Sequence, residues 1–253
     1  MISAEQRTQF LAAVNDCATG ELDLAELVAT SDDCLSGVAF YPPGPAIDLG
    51  QAAGQVLEQK PEAAINAMMQ LMSSESGGTR AVTCVIISRM ARYNPSIWAS
   101  MVRHLAADDA WEVREYAAHA YDSREGYSGA VEFHQEWVLE ELAEWVSHSD
   151  YLLHHGATQA LLGYVQVNDQ IIPRLLELLN PLLQDPSDYV RTGHVIALRM
   201  MGRRKPEVVL KYIDLHLPPK SDEMRETFLQ VLEHPFADKV PERKAELMAK
   251  LVV

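Results

Sequence analysis

Apolar residues recur along most of this chain at the three- and four-residue intervals of a single helix face. The clearest stretch is 185–210. With Val190 as origin and about 100° per residue, His194, Ala197, Leu198 and Met201 fall near it, Gly193 and Met200 just beyond, and Arg191 and Arg199 on the other side. Asp185-Pro186 breaks the preceding helix, because proline has no N–H and pushes its predecessor out of the helical region. Ser187 or Asp188 can cap the next helix, and Pro206 ends it or opens another. The pattern predicts a turn, a helix with one buried face, and the start of a second helix. No segment sustains the period-two alternation of a half-buried strand, so no β-sheet is predicted.

The unit repeats. Aligned on one register residue and its successor, the helices begin at Thr79-Arg80, Val113-Arg114, Leu153-His154, Val190-Arg191 and Met224-Arg225, with spacings of 34, 40, 37 and 34 residues. Seven positions after the register residue come Ala120, Ala160, Ala197 and Val231, and a small residue there lets a partner helix approach. Another helix precedes each aligned one, over Ile97–Ala106, Val138–Val146, Ile171–Leu183 and Glu207–Leu217. Two helices per 34–40 residues predict a stacked array whose repeats bury their faces against one another.

Residues 1–36 read as helical and hold seven acidic residues and one Arg, the pattern of an N-terminal cap. The stretch 37–46 carries three prolines and reads as an irregular linker. Residues 47–253 form the array, with an insertion over 123–137. The stretch 132–150 holds six acids and no Lys or Arg, which predicts a solvated helix face.

The spacing from Asp108 to Val113-Arg114 and from Asp185 to Val190-Arg191 resembles the Asp-x-x-x-x-Val-Arg start of the second helix in HEAT repeats. The expected fold is therefore all-α, a right-handed solenoid of about five HEAT-like helix pairs behind a helical cap. The turns 148–154 and 219–225 lack that Asp, and His154 stands in place of Arg. A narrower resemblance, to the DNA alkylation repair group of HEAT-like proteins, lies in Trp111-Glu-Val-Arg-Glu-Tyr-Ala-Ala-His-Ala-Tyr-Asp122 and in Asp188-Tyr-Val-Arg through Lys205-Pro-Glu-Val-Val-Leu210. In glycosylases of that group, tryptophans and an acidic residue grip the alkylated base and basic residues hold phosphates. Here the resemblance implies Trp111, Asp122, Arg191 and Arg199 in those roles.

Charge bears against that activity. The formal charge is −15, while sequence-independent DNA binding needs cations to displace counterions. Within 186–219, however, six Lys or Arg oppose three acids, and Arg203, Arg204 and Lys205 sit together. The residues after the register positions, Arg114, His154, Arg191 and Arg225, share one line. They predict either a stripe for anions or a ladder of Arg–Asp contacts between successive turns, and the ladder is favoured. Arg199 has no basic counterpart in other repeats and is expected to stand presented. Its neighbour Arg203 joins the candidate binding residues.

No metal site is expected: His154 and His155 diverge on a helix, and no HExxH motif is present. No phosphate-binding glycine loop or nucleophile elbow occurs, so no cofactor is expected and no catalytic residue is assigned. Three scattered cysteines and the absence of a long apolar run point to a reducing cytoplasm rather than a membrane. These readings make a non-catalytic scaffold that takes a protein or peptide on its concave face the leading expectation. The alternative is an alkylation-repair protein that binds duplex DNA and excises an alkylated base.

Overall fold

A computed structural model describes residues 2–37, 44–121, 123–124 and 127–252, without side chains for 44, 45, 123, 124, 127, 128 and 252. The helices follow in the order α1 (Ala4–Thr19), α2 (Leu24–Leu35), α3 (Gly44–Leu57), α4 (Pro61–Met72), α5 (Gly77–Ala91), α6 (Pro95–Ala106) and α7 (Trp111–Ala118). After the insertion come α8 (Gln135–Ser147), α9 (Tyr151–Val167), α10 (Ile172–Leu179), α11 (Asp188–Arg204), α12 (Pro206–Leu215), α13 (Asp222–Leu232) and α14 (Pro241–Val252). Their starts follow from local chemistry. The side chains of Ser3, Asp23, Ser76, Asp150, Ser187 and Ser221 each accept a backbone N–H of the first turn. Pro61, Pro95 and Pro206 open helices at the position where a missing N–H costs nothing.

The chain divides into two compact units, Met1–Val138 and Leu139–Val253. In the first, α1, α3, α5 and α7 pack in succession as one row, and α2, α4 and α6 as another. In the second, α9, α11 and α13 form one row, and α10, α12 and α14 the other. The aligned helices of the repeat are α5, α7, α9, α11 and α13, so each falls in the first-named row of its unit. Two of them are enclosed on all sides: Ala81–Ser88 of α5 and His155–Val165 of α9 are buried without interruption.

Small residues let these rows close. Ala120, Ala160 and Ala197 are fully buried. At Gly193 of α11 a Cβ would collide with Thr158 of α9, and at Gly202 it would lie 2.5 Å from the Phe236 ring. The apolar face expected for 185–210 is the buried one, since Val190, His194, Ala197, Leu198 and Met201 are all enclosed.

Four expectations are corrected. The irregular stretch ends early, because α3 starts at Gly44 and carries Pro45 in its first turn, where proline is tolerated; residues 38–43 lie outside the described residues. A two-stranded ribbon does exist, Ser123–Arg124 against Tyr127–Ser128, too short to show a period. The helix expected over Ile171–Leu183 stops at Leu179 and continues as a 3-10 turn over Asn180–Gln184, because the Pro181 ring cannot continue the ladder. Among the acids of 132–150, Glu141 is buried rather than solvated, and its carboxylate accepts the Trp145 indole N–H at 2.8 Å.

The insertion folds back on its own unit. The N–H groups of Ala130 and Val131 donate to the carbonyls of Ala120 and Tyr121 at 3.2 and 3.3 Å, and His134 Nε2 lies 3.0 Å from the Arg92 carbonyl. No helix of the described residues is long and apolar enough to cross a membrane.

Candidate nucleic-acid interface

The row of basic residues after the register positions is a ladder. Arg80 of α5 donates through Nε and Nη2 to the Asp108 carboxylate at 2.7 and 2.9 Å, and through Nη1 to the carbonyls of Ser74 and Glu75. Asp108 lies in the turn before α7 and also accepts the Ala110 N–H at 2.8 Å. Arg114 holds the carbonyls of Asp108 and Asp109 at 2.6 and 3.0 Å. In the second unit, His154 Nδ1 meets Asp185 at 2.6 Å and its Nε2 meets the His148 carbonyl at 2.6 Å. Asp185 in turn accepts the Ser187 N–H at 2.8 Å. Arg191 pairs with Asp188 at 2.6 Å and reaches Glu226 of α13 at 3.8 Å. Arg80 and His154 tie their own turn to the start of the next aligned helix, Arg114 ties its own turn, and Arg225 makes only a 3.9 Å contact with the exposed Asp222 among the described residues. His154 therefore does an arginine's work, and the anion stripe is not what this line forms.

Trp111 opens α7 and is 48% exposed. Asp122 lies outside the described residues. Trp111 and Arg114 belong to the first unit, and His154, Arg191, Arg199 and Arg203 to the second. The adjacent histidines part company: His155 stacks on Tyr189 with centroids 3.5 Å apart, away from the His154–Asp185 contact.

Of the sequence candidates, the structure brings together Arg199 and Arg203, one turn apart near the end of α11. Arg199, expected to stand presented, is instead half-buried. Its Nε and Nη2 donate to the Gln230 carbonyl at 3.3 and 2.8 Å, closing an otherwise open acceptor in the last turn of α13. Arg203 is exposed, with Nη1 3.6 Å from Met200 Sδ and Nη2 3.3 Å from His234 Nε2. Burial holds the His234 imidazole below its ordinary titration range, and the charges of Arg203 and Arg199 add to the effect. Among the described residues, the exposed Arg204 and Lys211 have no ion-pair partner. His234 had no signal in the aligned pattern: it lies in the turn after α13 and reaches Arg203 only through the packing of α11 on α13.

Charge is divided unevenly. The first unit carries 8 basic and 19 acidic residues, the second 13 and 17. Most of the −15 therefore belongs to the first unit, and the end of α11 lies in the less acidic one. Chemically, an exposed guanidinium backed by a second cation and an imidazole can hold an oxyanion.

No curated protein matches the chain. Among solved structures it is similar to AlkD2 from Streptococcus mutans, with a TM-score of 0.67 and 18% identity, over 83% of this chain and 98% of that one. That likeness shows the fold, an all-helical HEAT-like solenoid. An engineered protein matches more distantly, with a TM-score of 0.44 and 13% identity over 89% of this chain and 96% of the other. The family described as DNA alkylation repair enzyme matches residues 46–229, more than half of the chain. This match overturns the expectation of a scaffold with a protein or peptide partner: the family points to repair of DNA instead, the reading that net charge had put second. The chain belongs to the DNA alkylation repair enzyme family.

Proposed function

We propose that this protein binds duplex DNA and acts in alkylation repair by removing an alkylated base. The family match across 46–229 carries this reading. The charge distribution supports it, since the cations needed at a phosphate backbone are concentrated in the second unit. Alkylation of a ring nitrogen makes a base cationic, and an exposed indole face attracts such a base once it leaves the stack. Trp111 fills that role in this reading and Asp122 is the candidate carboxylate. Arg203 is the candidate for a phosphate, and Arg199 adds charge from its place on the Gln230 carbonyl. Arg114, His154 and Arg191 are committed to the ladder and set the spacing of the turns, with any DNA contact secondary. Helices α1 and α2 serve as the N-terminal cap of the array. The three cysteines are free and buried, which fits a reducing cytoplasm.

The test uses a labelled duplex with and without one N-alkylated purine, titrated at about 50 mM and about 200 mM salt, with released base followed by chromatography. Expected are binding that weakens steeply with salt, preference for the alkylated duplex, and release of the free base. Trp111→Ala should cut release while the protein stays folded. Absence of binding to either duplex at the lower salt overturns the reading.

A further inference from the structure

Two histidines of the second unit face opposite surroundings. His154 lies between two acceptors, the Asp185 carboxylate and the His148 carbonyl. His234 lies between two donors: the Phe236 N–H donates to its Nδ1 at 3.2 Å, and Arg203 Nη2 stands 3.3 Å from its Nε2. A neutral imidazole has one N–H and one acceptor nitrogen. With Nδ1 accepting, the proton sits on Nε2, so an N–H of His234 and an N–H of Arg203 meet donor to donor. Among the described residues no carboxylate pairs with Arg203.

The repeat supplies a comparison. Arg92 stands thirteen positions after Thr79, as Arg203 does after Val190. Arg92 gives to Glu58 at 2.7 Å, and Arg89 shares that carboxylate. The equivalent arginine in α11 has an imidazole where the first has a carboxylate within reach. Arg199 stands one turn before Arg203, fixed by the Gln230 carbonyl.

We propose that Arg203 and His234 form an oxyanion site for a phosphate group, with both N–H donors converging on its oxygens and Arg199 adding charge behind them. The group is a phosphodiester of a nucleic-acid backbone or free phosphate, since both offer the same oxygens. Only the first source rests on the function proposed above. A bound anion also offsets the cationic charge that depresses the His234 titration.

The experiment follows the ring nitrogens of His234 by NMR in the full chain while inorganic phosphate replaces chloride at constant ionic strength. Expected are saturable shifts of His234 and a rise of its titration midpoint. Arg203→Gln should weaken phosphate binding about tenfold or more, the loss of a hydrogen bond to a charged group. Arg204→Gln removes the same charge about 100° around the helix and should leave binding nearly unchanged. No saturable shift, or equal losses in both variants, overturns the site. A second arm titrates duplex DNA. A loss of affinity in Arg203→Gln, with a salt slope lower by about one, identifies the backbone phosphodiester. Phosphate binding with unchanged duplex affinity identifies free phosphate. Phosphate binding by a protein that fails to bind any duplex keeps the site and removes the proposed function.

Discussion

Arg80 holds Asp108 through two parallel contacts of 2.7 and 2.9 Å, joining α5 to the turn that starts α7 across 28 residues of chain. The Arg80 side chain is 16% exposed and that of Asp108 8%. The fork of the guanidinium matches the carboxylate, and the hydrogen bond to Asp108 is the main cause that holds the Arg80 charge firm. The same carboxylate caps the turn through Ala110. One side-chain pair thus sets the spacing of two successive repeats.

Breaking this rung by Arg80→Ala leaves a largely enclosed carboxylate without its counter-charge. The expected cost is about 2 kcal/mol or more, read as a lower urea midpoint. Arg225→Ala is the comparison, because among the described residues Arg225 has only a 3.9 Å contact with the exposed Asp222 and should cost little. Equal shifts in the two variants would show that the Arg80 contact contributes no more than a surface pair.

Ala197→Leu should destabilise by about 1–3 kcal/mol through overpacking. Ala197 is fully buried in α11, on the face shared with Gly193, which approaches Thr158 of α9 too closely to admit a Cβ. A thermal melt of the purified variant gives the answer, and an unchanged midpoint would contradict tight packing at this position.

His194 makes stability depend on pH. It is 1% exposed, its Nε2 has no partner among the described residues, and burial pushes its pKa down to about 4. The unfolded chain takes up a proton near the ordinary value of about 6.5, whereas the folded chain resists until about 4. The sign follows: stability is intact above the unfolded value and is lost as pH falls through this window, by about 3 kcal/mol in all. The urea midpoint of the wild type should fall relative to that of His194→Leu as pH falls across this range. Parallel curves would exclude His194 as the source.

Arg199→Ala should cost about 1 kcal/mol, the usual net value of a hydrogen bond, because it uncovers the Gln230 carbonyl. Arg204→Ala, exposed and without an ion-pair partner among the described residues, should leave the melting point unchanged. If Arg199→Ala melts like Arg204→Ala, the contact to Gln230 is not holding α13 to α11.

Periodicity, caps and prolines were enough to read the helix pairs, the repeat interval, the small residues at Ala120, Ala160 and Ala197, and the line of basic residues that forms the ladder. These are local or repeated properties. A helix face reports its own burial, and one alignment places five helices at once. What lay beyond the sequence is which groups meet across the stack. Arg199 looked presented because its acceptor, the Gln230 carbonyl, is a backbone atom 31 residues away that no side-chain pattern records. Glu141 looked solvated because an acid-rich count does not distinguish the one carboxylate turned toward Trp145. His234 was invisible for the same reason as Arg199: its role depends on Arg203, on another helix. Net charge misled about function because it sums over the whole chain. Only the tertiary division shows that most of the −15 lies in the first unit, while the exposed guanidinium at the end of α11 stands in the second. Helical periodicity is a short-range signal, and the placement of charge and donors at a site is a long-range one, decided by which turns the packing brings side by side.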